Sequence, residues 1–344
     1  MKSCIFTGSG FSKAVFNQEI QQDFIGDFIE SNASREYIDY FSDETKKLML
    51  SINDPEILVS HFFNLAYLGL PHNNVKIKAY KRKILFFRTA LAIYFRNKFK
   101  SEDCTLRYDT EYRTKLKKLI REFHSPSGSN KLTVVTTNYD LGFERIIEDS
   151  SNVDSYHYPQ IHRWYSSSNK IPILKLHGSI NWMEERGKSS SHRFWNPSRG
   201  VQQQYLEVLD NAHVVPLKNP EEFALEYLNK KYTPILIPFM FQKEKWSEIN
   251  QPWWGTLFNE IWINAYKDLV ESNQIVFMGY GLPAADHHMF SFLYDVLTKT
   301  NARVTIIDIT EHTNLIRMAK NIFYGSDKLN IISGGIEEYL SIYA

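Results

Sequence analysis

The sequence predicts an α/β protein built on a doubly wound, mostly parallel, Rossmann-like sheet with a large helical insertion after the first strand. Two observations carry this. Short apolar runs that read as buried strands recur along the chain and end in Gly, Asn, Asp or His, and most are followed by helical periodicity. Parallel strands cannot be joined by tight turns, so strand, loop and helix in repetition imply crossover helices over a sheet. A length of 344 residues suits two average domains or one α/β domain with an insertion. The composition, with 43% hydrophobic and 23% charged residues, lies in the globular range.

The first strand is expected at 4–7 (CIFT), closed by Gly8-Ser9-Gly10, with Ser12 and Lys13 opening a helix. From 11 to about 124 the periodicity is helical throughout, which makes 13–124 a helical insertion. Within it, residues 76–121 hold fifteen Lys and Arg against four Asp and Glu, although the whole chain carries a net charge of only +1. Ile77, Tyr80, Ile84, Phe87, Leu91, Tyr94 and Phe95 recur three and four apart, so the basic residues form the wet face of an amphipathic helix. The same face would also suit a nucleic acid, a partner or an acidic neighbouring subunit.

A second strand is expected at 132–136, running into Thr137-Asn138-Tyr139-Asp140 and a helix containing Phe143, Ile146 and Ile147. A third, 171–176, ends in His177-Gly178-Ser179, and 183–233 reads as an irregular insertion or loop. Further strands are expected at 235–238, 274–278, 304–309 and 330–332, with helices at 253–272 and 286–298. The whole of 1–344 is expected as one domain whose core is 1–12 and 125–344.

Cys4 and Cys104 are the only cysteines, too few for a four-cysteine zinc ribbon, and they fit a reducing compartment. The opening residues MKSCIFTGSG leave no room for a signal core, and charged or polar residues interrupt every long apolar run. A soluble, cytoplasmic protein is expected.

Ligands of doubly wound sheets bind where loops leave the carboxyl ends of strands, and the candidate residues all sit at such ends. Gly8 to Gly10 form a turn at a helix start, suited to a pyrophosphate or simply to a tight bend. Asn138, Asp140 and His177 offer an amide, a carboxylate and an imidazole that can orient a ribose and take a proton. Equally, the first two can cap a helix and the third can be a turn residue. His287 and His288 beside Asp286 invite a metal reading, but adjacent helical positions diverge by about 100°, and a helix cap at Asp286 is favoured. Trp253, Trp254 and Trp262 are expected in the core, where any one could cover a ring of a nucleotide.

GSGFS at 8–12, TTNYD at 136–140, LHGS at 176–179 and GYGLPAAD at 279–286, in that order, resemble the silent information regulator 2 (sirtuin) family. More closely, the sequence resembles the bacterial sirtuin-like, NAD-degrading effectors of antiphage defence. The resemblance implies that Gly8, Ser9, Gly10 and Ser12 form the NAD-phosphate turn, with Thr137, Tyr280 and Asp286 as further cofactor-binding positions. It implies that Asn138 holds the nicotinamide ribose and a water, Asp140 supports ribose binding, and His177 is the catalytic base. Gly279 and Asp308 would lie along the phosphates and the adenosine ribose. Deacylating sirtuins carry a zinc ribbon, absent here, and a Gln where this chain has Thr137. The implied activity is therefore hydrolysis of NAD+ to ADP-ribose and nicotinamide without a metal. The implied setting is a homo-oligomeric effector of abortive infection, with a phage trigger or a partner such as an ATPase, helicase or Argonaute. An NAD- or ADP-ribose-binding regulatory module, or an ADP-ribosyl transferase or cyclase, are the alternatives.

Overall fold

The computed structural model describes residues 1–15, 43–52, 110–125, 129–149, 156–160, 170–185, 214–216, 232–236, 252–284 and 286–342. The chain divides into two compact units, one of residues 1–20, 103–177 and 260–344 and one of 21–102 and 178–259. The second unit thus takes in 178–259, which includes the stretch 183–233 expected as an insertion or loop.

The strands of the first unit are β1 (Lys2–Thr7), β2 (Lys131–Thr136), β3 (Tyr156–His157), β4 (Ile171–Lys175), β8 (Gln274–Met278), β9 (Arg303–Ile307) and β10 (Leu329–Ile332). They form one seven-stranded sheet in the order β10-β9-β8-β1-β2-β4-β3, parallel at every pairing. Every residue of β1, β2, β8 and β9 after the first is buried, so neither face of these strands meets water. That explains why they read as unbroken apolar runs rather than alternating ones.

From β1 the chain steps outward to β2, on to the edge strand β3 and back in to β4 between them, then returns to the other side of β1 and steps outward through β8, β9 and β10. Right-handed crossovers place the helices of these two directions on opposite faces. Helices α3 (Thr110–Phe123) and α4 (Gly142–Asp149) pack together on the first. Helices α6 (His287–Lys299) and α7 (Asn314–Ile322) pack together on the second. Helix α5 (Pro252–Val270) joins α6 through Trp262 and Tyr266, whose rings meet the edge of Phe292. Two short helices, α1 (Ser9–Val15) and α8 (Gly335–Ser341), follow β1 and β10. Cys4 lies wholly inside the sheet, where burial pushes its thiol up to about 12 and disfavours the reactive thiolate.

In the second unit β5 (Gly178–Glu185) runs antiparallel between β6 (Val214–Pro216) and β7 (Tyr232–Leu236). Of the run expected as a fourth strand at 235–238, residues 235 and 236 are the end of β7, in a separate small sheet, and 237–238 lie outside the described residues. The stretch 183–233 contains the end of β5, all of β6 and the start of β7, and the rest lies outside the described residues. Strands β3, β5 and β6 were not expected: β3 is two residues long, and the Gly-Ser-Ile-Asn start of β5 reads as loop. Of the expected helical insertion, the end of α1, helix α2 (Asp43–Ile52) and α3 are described, all helical. The basic face at 76–109 and Trp253 and Trp254 as core side chains lie outside the described residues.

At the reversal of strand order the loops after β1 and β8 touch. A Cβ on Gly279, where φ is +62°, would lie 2.3 Å from the Phe11 amide nitrogen and 2.4 Å from the Gly10 carbonyl carbon. Gly325 also has a positive φ, +73°, yet nothing lies within 4 Å of its Cβ position. Gly279→Ala is expected to cost about 3 kcal/mol or more, from strain plus overlap. Gly325→Ala should cost only the strain of about 1 kcal/mol. Urea denaturation of both variants measures the difference, and equal losses would mean that the loop contact contributes nothing.

Candidate active site

The strand register gathers the site. Thr7 pairs with both Thr136 and Met278, Thr136 pairs with Lys175, and Met278 pairs with Ile307. One step past these pairs, Leu176, Thr137, Gly8, Gly279 and Asp308 form a row across the carboxyl edge of the sheet. One step further along their own strand ends lie His177 and Asn138.

The threonines at the strand ends begin the ordering. Thr7 Oγ1 donates to Thr136 Oγ1 at 2.8 Å, and Thr136 Oγ1 accepts the Asn138 backbone N–H at 3.0 Å. Thr137 donates its backbone N–H to the Thr7 carbonyl at 3.2 Å. The Asn138 side chain is then fixed by two acceptors. Its Nδ2 donates to the Gly8 carbonyl and to Ser12 Oγ, both at 2.8 Å. A backbone carbonyl can only accept, and Ser12 spends its single proton on Asp140 Oδ2, so neither contact can be served by the amide oxygen. Nδ2 therefore faces inward and the half-buried Asn138 turns its Oδ1, an acceptor, away from the network.

Asp140 is committed at both oxygens, to Ser12 and to the Gly142 backbone N–H at 2.8 Å, and is 8% exposed. Its carboxylate orders the Ser12 and Asn138 pair instead of projecting toward a ligand. Its own carbonyl accepts from the ammonium of Lys175, the last residue of β4, which also pairs with Glu144 Oε1 of α4 at 2.9 Å. Tyr158, just after β3, donates to the same Glu144 oxygen at 2.8 Å. Nothing in the sequence marks this network, because a lysine inside a strand reads as a solvent-facing position.

His177 is 3% exposed, and its ring centroid lies 6.3 Å from that of Tyr139. The strand end that bears it is pinned from α5, where Trp262 Nε1 donates to the Leu176 carbonyl at 3.1 Å. Trp262, expected in the core, is instead half-buried and anchors this strand end.

The amides of the glycine turn are bonded within the protein. Gly8 N–H donates to the Met278 carbonyl at 3.2 Å, Gly10 N–H to the Gly279 carbonyl at 2.9 Å, and Phe11 N–H to the Gly8 carbonyl at 2.9 Å. Of the two roles expected for the turn, phosphate holder or tight bend, these bonds fit the bend: the end of β8 and the residue after it take the Gly8 and Gly10 amides, and the turn's own Gly8 carbonyl takes that of Phe11. Ser9 is exposed at the start of α1, and Ser12 is buried against Asn138 and Asp140.

Two expected cofactor positions lie beneath the surface of the site. The Tyr280 ring sits under Gly8 and against Phe6, with centroids 5.0 Å apart. Asp286 caps α6 by accepting from the Met289 N–H and takes the Tyr280 hydroxyl at 3.4 Å, the favoured cap reading. No group of residues suited to a metal occurs among the described residues, and His287 and His288 belong to none.

Asp308 stands apart at the end of β9. Its Oδ1 accepts from the Ile309 N–H at 2.8 Å and the Thr310 N–H at 3.4 Å, and burial raises its pKa above the ordinary 3.8 despite both bonds. A raised native value means that the folded state holds the proton more tightly. The group's contribution to stability then falls as pH rises from 3.8 through the native value. Asp308→Asn, which keeps an acceptor and never ionises, is expected to melt higher than the parent at neutral pH, with the gap closing as the pH is lowered toward that window. A gap that stays constant with pH in thermal melts would rule out ionisation as the cause.

The SIR2-like domain family model matches residues 132–319. Similar solved structures include a sirtuin studied for substrate affinity, 12% identical over 99% of this chain and 92% of that one, with a TM-score of 0.42. Another is Sir2 with the inhibitor EX-527, 2'-O-acetyl-ADP-ribose and a deacetylated p53 peptide, 11% identical over 99% and 91%, with a TM-score of 0.39. A third is Sir2 with a p53 peptide and NAD+, 12% identical over 99% and 91%, with a TM-score of 0.40. No curated protein matches the sequence. No helix among the described residues is long and apolar enough to cross a membrane.

Proposed function

The chain belongs to the SIR2-like family, and from that premise we propose that it cleaves the N-glycosidic bond of NAD+ with water, giving ADP-ribose, nicotinamide and a proton. The observation that supports the reading is the locked Asn138 amide, whose Nδ2 is held by Gly8 and Ser12 so that its Oδ1 is left as an acceptor, next in sequence to Tyr139, whose ring neighbours that of His177. A water or a ribose hydroxyl presents a hydrogen to such an acceptor.

Nicotinamide leaves as a neutral molecule because its ring carries the positive charge in NAD+. The C1'–N bond breaks with its electron pair going to the ring, and an oxocarbenium-like ribose remains. Water adds to C1' and gives up its proton to His177, so atoms and charge balance. Asn138 Oδ1 holds the water or the ribose hydroxyl. Ser12 and Asp140 are positioning residues that act through Asn138. The phosphates and adenosine ribose are assigned to the Gly8–Gly10 turn, Gly279 and Asp308. With two cysteines the chain lacks the zinc ribbon of the deacylating sirtuins, which removes part of an acyl-lysine groove and leaves the glycosidic chemistry in place.

An enzyme that drains NAD+ harms the cell that holds it. The reading therefore includes restraint until a trigger arrives, in an oligomeric antiphage effector of abortive infection.

Purified chain incubated with NAD+ is expected to release nicotinamide and ADP-ribose, resolved by chromatography. Asn138→Ala and His177→Ala should each lower the rate by about 10²- to 10⁴-fold while remaining folded. Equal turnover by Asn138→Ala would sink the mechanism. NAD+ binding with no nicotinamide release, at every protein concentration tried, would favour a binding module, and a cyclic or protein-linked product would favour a cyclase or transferase.

A further inference from the structure

We infer that Lys175 is a positioning residue: its buried ammonium, gripping the Asp140 carbonyl, fixes the loop that carries Asn138 against the strand end that carries His177. The inference rests on the NAD+-cleavage reading above for its functional meaning, and on the following geometry for its substance.

Lys175 is fully buried, among the largest side chains to be so. It occupies the last paired position of β4, opposite Thr136 at the end of β2. His177 lies two residues further along its own strand end, and Asn138 two residues beyond Thr136. Any slip between the two strand ends past this last pair changes the separation of Asn138 and His177 directly.

The ammonium spans that gap. It donates to the Asp140 backbone carbonyl on the β2 side, and to Glu144 Oε1 at 2.9 Å. Glu144 is held in turn by Tyr158, which follows the edge strand β3. One cation thus ties β4, the β2 loop, α4 and the end of β3 to a single point. An apolar side chain of the same length fills the volume and cannot hold the carbonyl.

The choice of a charge also argues for geometry over stability. Replacing a buried ion pair by packed apolar residues of similar volume is often neutral or stabilising, whereas removing one partner leaves the other charge stranded. A pair retained inside a core is explained by the directional bonds it makes, here those to the site loop.

The test uses the full chain and two apolar replacements of the whole pair, K175M/E144L and K175M/E144M, so that neither charge is left alone. At least one is expected to melt close to the parent. In that variant kcat for NAD+ cleavage should fall by about 10- to 100-fold, the scale of a small misplacement, with KM within about twofold. Backbone amide exchange at 137–142 should quicken while exchange in the sheet stays unchanged. A folded variant with parental kcat and unchanged exchange overturns the inference, and so does failure of both to fold, which would make the pair a stability element. If the parent itself releases no nicotinamide, the cleavage reading fails, and the exchange at 137–142 then decides the positioning claim alone.

Discussion

The contact of two glycine loops at the reversal of strand order governs the site. Gly279 approaches the Gly10–Phe11 peptide so closely that no side chain fits between them, and the Gly10 N–H closes the contact on the Gly279 carbonyl. That approach sets where α1 begins, and α1 carries Ser12 to Asn138. It also leaves the Gly8 carbonyl facing Asn138 Nδ2. A bulge of one methyl group at Gly279 would therefore reach Asn138 through two bonded neighbours.

The polar groups of the site are ordered by the same physics that excludes polar groups from the sheet. The central strands are buried on both faces, so a hydrogen-bonding side chain there has to find its partner inside the protein. Thr7 and Thr136 do so with each other, and Lys175 does so with Glu144 and the Asp140 carbonyl. Bringing Lys175 and Glu144 out of water carries a penalty of several kcal/mol per ion, on the order estimated for real proteins, offset by their attraction and by the additional hydrogen bonds. The result is a site whose outward group, Asn138 Oδ1, is backed by an unbroken chain of satisfied donors and acceptors. Preorganisation of this sort spares the reaction the reordering of dipoles as charge develops.

Much of the parallel sheet was legible because double burial writes itself as apolar runs: 274–278 was expected with its exact bounds, and five other strands to within a few residues. The small antiparallel sheet was not legible. Strand β5 opens with Gly178, at φ +85°, and its register shifts between Gly178 and Met183, so neither alternation nor an apolar run survives. Residue types at strand ends pointed to Asn138 and Ser12, whose side chains do meet. Spacing alone could not separate a group that faces a ligand from one that faces inward, which is why Asp140, Tyr280 and Asp286 read like Asn138 yet are spent on internal bonds. Lys175 was invisible because its partner, Glu144, is thirty-one residues away in sequence and on another element.

The commitment of the turn amides changes what the site asks of a ligand. In many nucleotide sites free N–H groups at a helix start hold the phosphates. Here the Gly8, Gly10 and Phe11 amides are occupied by carbonyls of the protein itself. Their remaining role is to let backbone approach backbone, and through that approach to place Ser12 and the Gly8 carbonyl around Asn138. The glycines at 8 and 10 thus act on Asn138 and on any phosphate by different routes. A substitution there disturbs the Asn138 amide first, because the hydrogen bonds it breaks lie on the protein's side of the site.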